Sequence, residues 1–359
     1  MFSKIRQKIN KFSGVPLKER IIFTRNLALM IRTGISLPKG LETLKDQTSN
    51  QKLKTIISDL EERIKKGESF ADSLKQYEKI FKPLYINMVK SGELSGKLEK
   101  TLETLAVQME KDRKLRSQVI GALIYPMVIL VVMIGIGIIM MVYAVPNLVQ
   151  VFESFNAELP FSTRAIISIS NFMSDYIFLL IFIIVMVIIS GWYFFLRTQI
   201  GKITRDFAVL NIPLISSITK KVNSARFSRT LHSLVISGIS ILESIEITKS
   251  VMGNYFYKKS LEQTKIDVEK GANLHSSFAK YPKLYPPIVV NLISVGEETG
   301  SLDTILIELA LFYEDDVANI TKNMGSIIEP VLMVFIGLGV GFFAISILQP
   351  IYSLTSSIG

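Results

Sequence analysis

The chemistry open to this chain is narrow, because its 359 residues include two histidines and no cysteine. Thiol nucleophiles, disulfides and Cys-ligated zinc are thereby excluded. His232 and His275 have no carboxylate–histidine spacing around them that would build a metal ligand set. A phosphate-cradling loop needs G-x-x-x-x-G-K-[ST], but Gly96-Lys97 and Gly201-Lys202 are followed by Leu98 and Ile203. What remains is acidic chemistry beside glycines. Glu93 follows Gly92, and Glu297 follows Gly296; Gly96 and Gly300 come next, then Glu99 and Asp303 at the start of the following helix. A carboxylate placed there either satisfies free backbone N–H groups at a helix N-terminus, helped by the helix dipole, or makes a charged contact with a partner. Arg25 and Arg229 are candidate ion-pair partners for these two acids. The cluster Glu314-Asp315-Asp316 offers either a cation site or a solvated helix face. No catalytic residue, cofactor site or metal ligand is expected.

The acidic motif belongs to something larger. Phe23–Pro126 overlays Phe227–Pro330 at an offset of 204 residues without a gap, and 29 of the 104 positions are identical. That is a duplication, and it shows which features both halves kept. The histidines are not among them, since His232 falls on Ala28 and His275 on Ala71.

The elements that carry these residues read as helices. Leu27, Met30, Ile31 and Gly34 share one face, and Leu53, Ile57, Leu60 and Ile64 another. Gly34, Gly67 and Gly92 mark helix C-termini, and Pro38 and Pro83 begin new helices. The stripe Leu98, Leu102, Leu105 and Met109, with its copy Leu302, Leu306, Leu309 and Tyr313, packs on each bundle. Both helices are then expected to pass through a polar turn into a span that begins near Pro126 or Pro330.

Three stretches are free of charge: Met127–Val145 with 19 residues, Tyr176–Leu196 with 21 and Val331–Leu348 with 18. At 1.5 Å per residue each reaches about 30 Å, the thickness of a bilayer's hydrocarbon core. In the third, Gly337 and Gly341 form a GxxxG pair suited to close helix packing, with Gly339 between them. No cleavable signal peptide is recognised before the spans.

The net charge of +10 is mostly a topology signal. Residues 1–120 hold 25 Lys+Arg against 14 Asp+Glu, and residues 197–325 hold 15 against 13, whereas residues 147–175 carry only Arg164 against three acids. Basic flanks stay in the cytoplasm, which puts the amino terminus inside and the carboxy terminus outside. The chain is therefore expected to be an all-α membrane protein with two repeated cytoplasmic helical bundles and three transmembrane helices. Its expected segments are a basic amino-terminal stretch (1–20), a first bundle (21–118), a span (119–146), an external loop and helix (147–175), a second span (176–196), a second bundle (197–324), a third span (325–350) and an external tail (351–359). The basic stretch is either a membrane-surface helix or a solvated tail. Without aromatics interleaved among the basic residues, nucleic-acid binding is not indicated.

These residues resemble a known family, the type II secretion F and PilC-like inner-membrane platform proteins of type IV pilus and secretion machines. The resemblance rests on Gly-Glu-x-[Ser/Thr]-Gly-x-Leu at Gly92–Leu98 and Gly296–Leu302. It rests also on Phe23-Thr-Arg25-Asn-Leu27 and Phe227-Ser-Arg229-Thr-Leu231, on Tyr125-Pro126 and Glu329-Pro330, and on Leu159-Pro160-x-x-Thr163. It implies a structural and mechanical role in pilus, pseudopilus or competence-pilus assembly, without enzyme activity or cofactor. The implied partners are a cytoplasmic hexameric ATPase, pilin or pseudopilin subunits, other inner-membrane assembly proteins and a second copy of the chain, as a dimer or higher oligomer. Glu329, where the first copy has Tyr125, either reaches the cytoplasmic interface or meets the charged amino terminus of an incoming pilin. The competing reading is a small membrane transporter or channel component. Against it, transporter repeats are built of spans, while here the repeated part is largely polar.

Overall fold

The computed structural model describes residues 14–147, 161–213 and 215–358. Among these residues every regular element is helical. The first repeat forms α1 (Leu17–Arg32), α2 (Leu37–Gln47), α3 (Gln51–Lys65), α4 (Phe70–Lys75), α5 (Pro83–Leu94) and α6 (Leu98–Ile139). Next come α7 (Phe161–Asp175), α8 (Ile177–Arg197) and α9 (Gln199–Asn211). The second repeat forms α10 (Ile215–Ile236), α11 (Ile241–Val251), α12 (Tyr255–Glu269), α13 (Leu274–Ala279), α14 (Pro287–Thr299) and α15 (Leu302–Ile358). From α2 and α11 onward, equivalent helices begin 204 residues apart.

Shared punctuation explains that match. Asn50 caps α3 by accepting from Leu53 N–H at 3.0 Å, and Asn254 caps α12 by accepting from Phe256 N–H at 2.9 Å. Pro83 and Pro287 stand in the first turn of their helices, where a missing N–H costs nothing. Gly34 and Gly67 end helices as expected, but Gly92 does not: it lies inside α5, and Gly96 takes the left-handed position. Of the basic amino-terminal stretch, residues 1–13 lie outside the described residues, and residues 17–20 open α1.

The chain divides into two compact units. One comprises the described residues up to Ser117 together with Asp206–Ala318, so it contains both bundles. Its first-repeat core is the apolar face expected from periodicity: Leu27, Leu53, Ile57, Leu60, Leu102 and Leu105 are buried. Burying one such side chain stabilises the fold by roughly 1.5–3 kcal/mol. Leu234 and Ile247 of the second repeat join this same cluster. The second repeat adds an aromatic core, with the Phe227 ring edge-on to Phe278 at 5.1 Å and to Tyr285 at 5.5 Å.

Two buried phenols give this unit a pH limit. Tyr85 OH meets Thr24 Oγ1 at 3.1 Å, and Tyr285 OH meets Ser260 Oγ at 2.9 Å. Burial raises both above the ordinary tyrosine value of 10.0. The unfolded chain therefore loses these protons at a lower pH than the folded one. Their stabilising contribution is complete below about pH 10 and is lost as pH climbs toward the folded-state values. Thermal melts should show a midpoint that falls above about pH 10; a midpoint unchanged through the alkaline range would contradict this.

The other unit comprises Gln118–Arg205 and the described residues from Asn319 onward. Leu98–Asn147 and Leu302–Ser346 are long and apolar enough to cross a bilayer, and a third crossing is counted if Phe182–Arg197 and Gln199–Asn211, bent by 93°, act as one. Many of their apolar side chains are exposed: Phe182 is 62% exposed and Met127 64%. α6 closes in a π-helical turn, Met140–Ala144, whose Met141 carbonyl accepts from Ser170 Oγ of α7 at 2.5 Å. α7 is the helix expected after the first apolar stretch, although Leu159 and Pro160 lie outside the described residues.

One expectation is corrected here. No polar turn precedes the apolar stretches; α6 and α15 are continuous, with Pro126 and Pro330 inside them. A charged stretch such as residues 111–116 does not break a helix when no glycine or proline accompanies it. α15 runs on to Ile358, so the helix continues into the stretch after residue 350. Within the single chain, a Cβ added at Gly337, Gly339 or Gly341 would meet nothing within 4 Å, so the face of the GxxxG pair is open among the described residues.

Candidate functional site

The Gly-Glu-x-[Ser/Thr]-Gly-x-Leu motif occupies the end of α5 and the start of α6, and again the end of α14 and the start of α15. Its glycines do two different jobs. A Cβ on Gly92 would lie 2.4 Å from Thr101 Oγ1 and 2.7 Å from Thr101 Cβ, so only a hydrogen lets α6 cross α5 this closely. At Gly296 the nearest atoms would be Leu302 Cα at 3.1 Å and Ile305 Cγ1 at 3.2 Å. Gly96 and Gly300 instead turn the chain, with φ of 66° and 68°. In the first copy Lys97 N–H donates to Gly92 O at 2.7 Å and Gly96 N–H to Glu93 O at 3.3 Å, a Schellman closure that reverses the chain into Leu98.

Gly92→Ala therefore separates the two helices and should lower stability by about 1–3 kcal/mol, as overpacking does. A drop in the thermal midpoint of the purified protein reads it, and an unchanged midpoint would deny the close crossing.

The motif carboxylates point back toward the preceding short helix. Glu93 accepts from Phe70 N–H at 2.7 Å and Ala71 N–H at 3.1 Å, the first amides of α4. Glu297 accepts from Leu274 N–H at 2.6 Å and His275 N–H at 2.9 Å, the first amides of α13. Each acid thus satisfies orphan donors at a helix N-terminus, where the dipole favours negative charge. The helix so served is not the following one, beside Glu99 or Asp303, but one that starts 23 residues earlier. His275 adds a contact of its own, Nδ1 to Glu297 Oε2 at 2.7 Å. His232 Nδ1 lies 2.8 Å from Asp303 O. Neither histidine joins a metal-ligating group among the described residues.

Arg25 and Arg229 do not pair with Glu93 and Glu297. Arg25 pairs with Glu110, and Arg229 with Glu314, again at equivalent positions in the two copies. Periodicity does not reveal this, but Glu110 and Glu314 are identical in the overlay, and that is the available signal. The environments differ sharply. The Arg25 and Glu110 side chains are 54% and 52% exposed, those of Arg229 and Glu314 8% and 9%. Glu314 also accepts from Lys111 Nζ of the first repeat at 3.0 Å. Asp316 is paired with Lys221 at 2.6 Å. Glu314 is therefore neither part of a solvated face nor free for a cation.

Lys111 is one of several contacts joining the repeats. Gln108 Nε2 donates to Thr230 Oγ1 at 3.0 Å, and Ser233 Oγ donates to Gln108 Oε1 at 3.3 Å. Arg226 Nε donates to Asp112 at 2.7 Å, and Ser91 Oγ to the Ser237 carbonyl at 2.8 Å. Sequence reasoning finds none of these, because they link positions more than a hundred residues apart. Beside them opens a cavity of about 540 Å³ lined by Lys90, Lys97, Lys100, Leu94 and Glu243. Glu329, in the other unit, is exposed.

The sequence profile of the family described as "Type II secretion system (T2SS), protein F" matches this chain twice, over residues 23–146 and 227–350. The chain is 35% identical over 347 residues to a "Type IV pilus assembly protein PilC" of Myxococcus xanthus, covering 97% of this chain and 83% of that protein. A protein of the same description from Thermus thermophilus is 33% identical over 346 residues, covering 96% and 84%. A "Type II secretion system protein F" of Xanthomonas campestris is 31% identical over 339 residues, covering 94% and 83%.

Proposed function

Because the chain belongs to the type II secretion system protein F family, whose members are structural platform proteins and not enzymes, we propose that it passes work from a cytoplasmic ATPase to pilin-like subunits in the inner membrane. Both bundles face the cytoplasm, where a hexameric ATPase grips them. The apolar stretches form three spans, with the amino terminus inside and the carboxy terminus outside. Movement of the motor shifts the bundles, and the spans help lift a pilin or pseudopilin out of the bilayer into the filament base. The single observation that carries this reading is the doubling of one device. In each repeat a motif-locked bundle is followed by a helix, α6 or α15, that runs unbroken into an apolar stretch. The asymmetry of basic residues supports the orientation.

The direct test is co-purification from native membranes after mild cross-linking. Recovery of an assembly ATPase and a pilin-like protein is the expected result, and recovery of neither, beside an undiminished filament count in a deletion strain, overturns the reading. Glu329 supplies a finer test. An acid at the mouth of a span is suited to the charged amino terminus of an incoming subunit. Glu329→Gln should then reduce filament output severalfold at unchanged protein level, while full output would remove the acid from the mechanism.

A further inference from the structure

A second cavity between the repeats, of about 510 Å³, is floored by Leu105 and Met109 of α6 and reaches along that helix as far as Arg116. Four cations line it, Arg20, Lys82, Arg116 and Arg226, against one carboxylate, Asp112. Asp112 is already taken by Arg226, Nη2 to Oδ1 at 2.6 Å. Arg20 Nη1 donates to the Ile80 carbonyl at 2.6 Å, but its Nε is buried without a partner. Burial pulls the Arg20 guanidinium below the usual arginine pKa, and no carboxylate offsets that cost. Lys82 and Arg116 meet no acid among the described residues either. The cavity thus keeps an uncompensated positive charge beside apolar walls, which focus its field. The duplication shows that the scaffold does not need these charges. At the offset of 204, Leu105 returns as Leu309 and Asp112 as Asp316, whereas Arg20, Lys82 and Arg116 fall on Ser224, Pro286 and Ile320. Three cations gathered in one copy alone, with no acid to pair them, point to a ligand that brings the negative charge.

We infer that this cavity binds the phosphate-bearing head of an anionic phospholipid and so ties the bundles to the bilayer surface. The chemistry of the ligand follows from the guanidinium groups, whose forked N–H donors match phosphate oxygens. Its source follows from α6. Arg116 is the last charged residue before the apolar stretch, and the first exposed large apolar side chain beyond it is Ile120. Four residues of helix rise about 6 Å, and the headgroup layer on each side of the hydrocarbon core is about 5–7 Å deep. Arg116 therefore stands where lipid phosphates lie, and the bilayer supplies them there at far higher local concentration than solution does. Because Arg226 belongs to the second repeat and the other three cations to the first, a bound head joins the repeats as well as tethering them. The inference rests on the bilayer placement proposed above and is independent of the motor.

Native mass spectrometry of the full-length chain, released from detergent with phosphatidylglycerol or phosphatidylcholine present, counts what stays bound. Phosphatidylglycerol is expected to survive where phosphatidylcholine is stripped. Lys82→Gln with Arg116→Gln should weaken that binding about tenfold or more, since each removes a cation near the membrane surface. Arg113→Gln with Lys114→Gln, on exposed cations of the same helix that lie outside the cavity, should leave it unchanged. Equal loss in the two pairs would reduce the effect to general surface charge and overturn the inference, as would equal retention of the two lipids. Inorganic phosphate and glycerol phosphate, titrated alone by calorimetry, should bind far more weakly; binding as tight as that of the lipid would make the occupant a soluble anion and overturn the lipid assignment. Phosphatidylglycerol should also raise the thermal midpoint of the wild-type chain and not that of the Lys82→Gln, Arg116→Gln chain, with the two midpoints alike in its absence. A chain that stays in membranes yet shows none of these differences defeats the inference and leaves the bilayer placement intact.

Discussion

Glu314→Ala should destabilise the bundle unit by about 3–5 kcal/mol, the loss found when one member of a buried ion pair is removed. Glu110→Ala, at the equivalent position, should lose about 1 kcal/mol or less, the range of exposed pairs. The two glutamates face the same arginine position of their own repeats and differ in what covers them. Glu314 receives Arg229 from its own bundle and Lys111 from the other, with its side chain 9% exposed. Its removal leaves a guanidinium desolvated without its counter-charge. Glu110 and Arg25 sit in water, where solvent replaces the lost partner. Chemical denaturation of the purified protein measures both. Equal effects at the two positions would mean that the contact between the repeats leaves Glu314 open to solvent.

Glu297→Ala should be the next most damaging change. Hydrogen bonds to an ionised group contribute about 1.5–3 kcal/mol, and Glu297 receives two amides of α13 besides the His275 ring. Glu93→Ala should act in the same way on α4, without the histidine contact. Both short helices have six residues, too few to stand without tertiary support. The loss should therefore be local first. Hydrogen exchange should speed up at the Leu274 and His275 amides, or at Phe70 and Ala71, before the rest of the unit is affected. Unchanged protection at those amides would show that the carboxylates are not what holds the short helices.

Much of this architecture is legible in the sequence. The overlay of Phe23–Pro126 on Phe227–Pro330 predicts two like bundles, and the stripes through Leu27, Ile57 and Leu102 do fall in the core. These features can be read because periodicity and duplication are local or self-referential. The motif acids are recognisable as helix caps, but the amides they serve, at Phe70 and Ala71 and at Leu274 and His275, lie on the preceding helix. No periodic pattern spans that distance. The partners of Arg25 and Arg229 are hidden for a similar reason. Glu110 and Glu314 stand on long helices, and a run of charges such as that through Arg116 reads equally well as a turn or as a solvated helix face. Burial of Glu314 but not Glu110 follows from the packing of one repeat on the other, which the sequence of either repeat alone does not encode.

If both bundles lie on the cytoplasmic side of one membrane, single-cysteine labelling of this cysteine-free chain shows it most directly. Lys66 and Lys270 hold equivalent exposed positions at the ends of α3 and α12, and Asn171 is exposed on α7. In intact spheroplasts a membrane-impermeant maleimide should label Asn171→Cys and leave Lys66→Cys and Lys270→Cys untouched until the membrane is opened. Labelling of either lysine-site variant in sealed spheroplasts would place a bundle outside, out of reach of any cytoplasmic motor.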